Sequence, residues 1–224
     1  MNEETIEKDK FEKWFNDIKD QLIQIIICQK INNQMRYIFK ENPKLHRGGN
    51  FWNWLDQNYI YSIVIQVARL VEKGRYSDDR SFHKFLSELK NADNYKIVIS
   101  EEKYLEKFGP FLEEHLGEKY IRNEFKKITL NQQIIEVLNS DVIILDNIFE
   151  KFEKLRHKKI AHLTSTELNI SELPTYNDID KSIEELKKLV NKYSLLINAN
   201  HIVFDVPIYY GKIFNIPWIE NKNL

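Results

Sequence analysis

The chain has 224 residues, 42% of them apolar, enough for one substantial core, and one domain rather than two is expected. A formal net charge of -1 excludes a globally cationic surface, so any polyanion must be gripped by a local cluster. Cys28, the single cysteine, excludes an internal disulfide and fits a reducing cytoplasm, where the protein is expected. Six Gly and five Pro are few for this length and favour helices over many-turned sheets. The amino terminus is charged and the apolar run Ile25 to Cys28 is far too short to span a bilayer, so neither a signal peptide nor membrane contact is expected.

Residues 3 to 40 read as one long or once-broken helix, with Phe11, Trp14, Phe15, Ile18, Leu22, Ile25 and Ile26 on one stripe. Asn42 to Asn50, with Pro43, Gly48 and Gly49, reads as a turn or exposed loop in which His46 and Arg47 are solvated. Phe51 to Glu72 is a second helix, rich in aromatics and apolar on more than one face, which predicts a central position or a dimer contact. Trp52 and Trp54 are expected in the core, because their neighbours are apolar rather than basic. Gly74 to Asp79 breaks the pattern. It resumes over Ser81 to Leu89 with Phe82, Phe85, Leu86 and Leu89, His83 being expected on the solvated side.

From Asn91 to Thr129 the chain is less regular, with Pro110 and Gly117 separating short helical pieces. His115 sits beside Glu113 and Glu114 without a second histidine at helical spacing, so no zinc signature is present; no metal and no cofactor is expected. Asn131 to Leu163 reads as a helix, with Ser140 a possible cap for a restart, and Val142, Leu145, Phe149 and Phe152 recur on one face. Arg156 continues that line. An unpaired charge facing a core is costly, so something should meet it.

Between Lys151 and Lys159 five Lys or Arg stand against one acid, Glu153, the strongest basic cluster of the chain. Thr164 to Asn177 is a polar connector, and Ile179 to Ile197 a last helix. Beyond it Ile202, Phe204, Val206, Ile208, Tyr210, Phe214, Ile216 and Trp218 lack a helical period, and Pro207 and Pro217 discourage helix. The fold expected is all-α: a bundle of about five main helices over residues 1-198, with an irregular helical excursion at 91-130. An ordered, non-helical aromatic tail at 199-224 should lie on the bundle or on a partner chain.

The segment Leu155-Arg156-His157-Lys158-Lys159-Ile160-Ala161-His162 carries the plausible phosphate chemistry. Arg156 offers a planar donor fork for a phosphate, and His162, with an ordinary pKa near ~6.5, can move a proton at neutral pH. Six residues turn an ideal helix through about 600°, which leaves the two side chains about 120° apart. Either the helix bends between them or a second copy completes the site across a dimer axis. The plain alternative is that Lys158, Lys159 and a histidine simply complement the dipole of a helix end.

This segment is similar to the signature of the HEPN superfamily: an arginine, a polar residue that is often Asn, Asp or His, a short spacer and a histidine, here Arg156, His157 and His162. Its wording through Ile160-Ala161-His162 looks especially like the abortive-infection-type (Abi-like) branch. The resemblance extends loosely over a hydrophobic helix like Tyr59 to Glu72 and a Ser-led helix like Ser81 to Leu89. It implies a metal-independent endoribonuclease working as a homodimer on RNA, in a toxin-antitoxin or phage-defence setting, with an antitoxin or defence protein as a further partner. On that reading Arg156 and His162 are catalytic, His157 supports them, and Lys158 and Lys159 are secondary RNA contacts. Other members have lost activity, so a non-catalytic module that binds a nucleotide, RNA or protein stands as the alternative. Some HEPN toxins carry a tyrosine two residues after the histidine that a partner nucleotidyltransferase modifies; here that position is Thr164, which speaks against such control.

Overall fold

The computed structural model describes residues 3–42, 49–74, 79–91, 98, 123, 133–157, 174–198 and 200–205. Within them lie five α-helices: α1 (Glu3–Glu41), α2 (Gly49–Val71), α3 (Phe82–Lys90), α4 (Gln133–Leu155) and α5 (Tyr176–Asn198). No strand occurs among the described residues, and the all-α bundle expected from the sequence is what forms.

The stripe on α1 faces inward as its spacing requires: Phe11, Trp14, Phe15, Ile18, Leu22, Ile25 and Ile26 are all buried. Helices α1 and α2 run antiparallel, since Phe39 meets Trp52 at 4.1 Å between ring centroids while Gln21 and Arg69 line one cavity at the other end. Helix α2 is central, touching α1, α3 and α4, and its Tyr59, Ile63, Val64, Val67, Ala68, Leu70 and Val71 are buried. Trp54 is not in the core: it is 57% exposed and stacks on the equally exposed Phe51, with 6.1 Å between centroids. Among the described residues, the start of α2 is flanked by the end of α1, against which Trp52 is partly sheltered.

Ser81 initiates α3 by accepting a hydrogen bond from the Lys84 N–H at 3.1 Å. Phe85 on this helix is the hub of an aromatic cluster, its ring lying 5.7–6.5 Å from those of Trp14, Phe15, Phe11, Phe82 and Tyr193. Edge-to-face pairs dominate, and truncating such a buried phenylalanine to alanine costs about 3–5 kcal/mol.

Helix α4 runs unbroken through Ser140, whose hydroxyl donates to the Glu136 carbonyl at 2.9 Å instead of capping a restart. Leu145 and Phe152 are buried, and Val142 and Phe149 pack partly against the core. Helix α5 begins earlier than its apolar period suggests. Thr175 and Asp178 form a reciprocal cap: Thr175 Oγ1 accepts from the Asp178 N–H at 3.2 Å, and Asp178 Oδ2 accepts from the Thr175 N–H at 2.9 Å. The Tyr176 ring then stacks on Tyr59 at 6.0 Å with the Arg36 guanidinium 3.9 Å from its centroid, pinning α5 to the α1–α2 pair.

The chain after α5 lies back on the bundle in its described part. Ile202 N–H donates to Asn191 Oδ1 at 2.8 Å and Asp205 pairs with Lys30 on α1 at 3.0 Å. Ile202 and Phe204 turn inward while Val203 points out. The rest of the aromatic tail, nearly all of the 91-130 excursion and the loop with His46 and Arg47 lie outside the described residues. No helix among the described residues is long and apolar enough to cross a membrane.

Candidate functional site

The site is built where α2 and α4 end side by side. Leu70 and Val71 anchor the last turn of α2 in the core, and Glu72 N–H still donates to the Ala68 carbonyl at 2.9 Å. The chain then turns at Gly74, whose φ of +68° is the left-handed conformation that favours glycine. A Cβ there would lie 3.1 Å from the Lys84 side chain and 3.2 Å from that of Asp79, so tight contacts add to the torsional strain that a larger residue would meet.

On α4, Asp146, Phe149, Glu153 and Arg156 recur at three and four residues and so share one side. Past Leu155 the chain continues in a π-type turn at Arg156 and His157, a widened geometry frequent at functional positions. The partner that Arg156 required is Glu72. Its Oε2 accepts from Arg156 Nη1 at 2.6 Å, both side chains being about three-quarters buried. The guanidinium carbon also lies 5.7 Å from the Phe149 ring centroid, one face of the helix supplying both residues. A guanidinium has five N–H donors in a planar fork, so a group oriented by Glu72 still has donors for a second anion.

Nearly three turns before Arg156 on α4, Asp146 stands 3.3 Å from Lys73 Nζ and 3.4 Å from His83 Nε2. The histidine contact is close, yet neither His83 nitrogen makes an aligned hydrogen bond among the described residues. His83 is therefore not the solvated residue its place on α3 suggested: it is 8% exposed. The reason is that α3 is short and enclosed, with Phe82, His83, Phe85, Leu86 and Leu89 all covered. Burial holds the His83 imidazole below its ordinary pKa, against the pull of Asp146 in the opposite direction.

His157 points elsewhere. Its Nε2 is 3.8 Å from Glu153 Oε1, beyond hydrogen-bond distance, and both side chains are only partly exposed. It does not touch Glu72 or Arg156 through any contact seen among the described residues. Of the candidate residues, Arg156 and His157 are described, while Lys158, Lys159 and His162 lie outside the described residues. Sequence reasoning missed Glu72. The one signal for it was the need for a countercharge to Arg156, which does not say which of 34 acidic residues supplies it. Among the described residues no group of three or more His, Cys, Asp or Glu is placed to hold a metal ion.

An all-α bundle with the largely buried Arg156 just past the end of α4 is consistent with the HEPN-like bundle expected from the sequence. The comparison with protein families agrees: residues 8–212 match the HEPN family model described as AbiU2. That match spans most of the chain, and the protein belongs to the AbiU2 family of HEPN proteins, an abortive-infection type. No curated protein and no solved structure matches it.

Proposed function

We propose that this protein is a metal-independent endoribonuclease of the HEPN type, acting as a toxin or phage-defence component in the cytoplasm. The observation that supports it best is the Glu72–Arg156 pair: a guanidinium that donates through Nη1 to the Glu72 carboxylate at 2.6 Å and keeps further N–H donors for a phosphate. Arg156 neutralises the scissile phosphodiester as charge builds on its oxygens. His162 takes the proton of the ribose 2'-hydroxyl, or gives one to the leaving 5'-oxygen. The 2'-oxygen bonds to phosphorus, the phosphorus–5'-oxygen bond breaks, and the products are a 2',3'-cyclic phosphate and a 5'-hydroxyl. The nucleophile belongs to the substrate, so the step needs a positive charge and a proton carrier. A second copy of the chain across a two-fold axis is the simplest way to bring a histidine six positions on from Arg156 to the same phosphate. Lys158 and Lys159 are secondary contacts along the strand, and an antitoxin or defence protein is the expected regulating partner.

A second reading has one observation in its favour. Glu72 already satisfies much of the Arg156 charge, as in a structural ion pair, which suits a non-catalytic module that binds RNA, a nucleotide or a protein. Labelled single-stranded RNA incubated with the protein in EDTA separates the two. Cleavage to cyclic-phosphate ends, lost in both Arg156→Ala and His162→Ala, supports the nuclease; RNA that is bound and left intact supports the module.

A further inference from the structure

Between the end of α2 and the start of α3 the described residues enclose a polar cavity of about 210 Å3, lined by Gln21, Arg69, Glu72, Asp79, Arg80 and Ser81. It adjoins the Arg156 site because Glu72 belongs to both, lining the cavity and accepting from Arg156. Its charges are of mixed sign and differently occupied. Glu72 is neutralised by Arg156. Arg80 rests over the Trp14 ring, its guanidinium carbon 5.2 Å from the centroid, and Arg69 is exposed on the last turn of α2. Ser81 spends its oxygen as an acceptor for α3, so its hydroxyl hydrogen remains to be donated. Asp79 lies against Gly74, where the missing Cβ makes room for its carboxylate.

Two guanidinium groups and a hydroxyl donor call for anionic oxygens, while a carboxylate in the same wall repels a bare anion and favours a ligand that also brings hydroxyl groups. A ribose phosphate carries both. We propose that this cavity is a sugar–phosphate subsite for an RNA strand: Arg69 and Arg80 hold the phosphate next to the one at Arg156, and Asp79 accepts a ribose hydroxyl. The proposal rests on the nuclease reading for its choice of RNA, and it gives that site a register along the strand and a preference for RNA over DNA.

The test is binding by fluorescence anisotropy, using a labelled single-stranded RNA and the DNA of the same sequence, in a His162→Ala background that prevents turnover. Arg69→Gln, Arg80→Gln and their double variant are compared across a salt series, with Arg80→Lys as the charge-preserving control for packing on Trp14. The double variant should weaken RNA binding by about tenfold and make its salt dependence shallower by roughly one phosphate contact, with Arg80→Lys close to the parent. Asp79→Asn should narrow the gap between RNA and DNA. Unchanged RNA affinity and salt slope in the double variant overturn the subsite, and if the wild type still cleaves RNA the nuclease reading survives that result. Loss of binding in the double variant with no cleavage by wild type keeps the subsite and removes the nuclease; a wild type that binds no RNA removes both.

Discussion

Glu72 and Arg156 stand 84 residues apart in the chain and 2.6 Å apart in space, closing the ends of α2 and α4 on each other. If this pair locks the two helix ends, its members must be energetically coupled. Glu72→Ala and Arg156→Ala should each destabilise the fold by about 1–3 kcal/mol, the cost of stranding a partly buried charge. The double variant should lose less than the sum, leaving a coupling of roughly 1 kcal/mol in a denaturant double-mutant cycle. Strict additivity would show that the contact holds nothing together.

Helices α4 and α5 are joined in the interior by Asp141, whose Oδ2 accepts from the Tyr193 hydroxyl and from Lys192 Nζ, each at 2.6 Å. Burial and the adjacent carboxylate push the Tyr193 phenol well above its ordinary pKa, so it remains a donor throughout the neutral range. Tyr193→Phe keeps the ring contacts with Phe82 and Phe85 and removes only the donor. A loss of about 1–2 kcal/mol in urea unfolding is expected, and an unchanged midpoint would mean that Lys192 alone satisfies the carboxylate.

His83 is expected to make the protein acid-sensitive. Its folded pKa lies below the unfolded value of about 6.5, so the unfolded chain binds the proton more readily. The contribution of His83 is therefore fully present above about pH 6.5 and is lost as pH falls through that value toward the folded pKa. Unfolding free energies at pH 7.5 and pH 5.5 should differ more for the wild type than for His83→Gln. Equal slopes would place the acid sensitivity in another group.

The start of α5 offers a test that leaves the core alone. Thr175→Ala removes the side-chain half of the reciprocal cap with Asp178 and should cost about 1 kcal/mol. The hydrogen bonds from the Thr175 hydroxyl and backbone hold the Asp178 carboxyl below its ordinary pKa, a stabilisation present above about pH 4 and lost as pH falls further. Thr175→Ser should restore most of the loss, whereas a serine variant as weak as the alanine one would remove the capping account.

What the amino-acid order determined was the internal character of each helix. The three-and-four spacing on α1 marked seven residues that are all buried, Ser81 announced α3, and the Arg156-to-His162 segment pointed to the HEPN family before any packing was known. Such features repeat within a turn or two, where backbone geometry alone decides which side chains share a face. Tertiary packing decided who meets whom. Nothing local marks Glu72 as the acid for Arg156, Asp141 as the acceptor for Tyr193, or His83 as enclosed, while Trp54, apolar and aromatic, was left outside. Periodicity shows that a face wants covering; which neighbour covers it, and which charge ends beside which, depends on helices that bring together residues 52 and 84 positions apart.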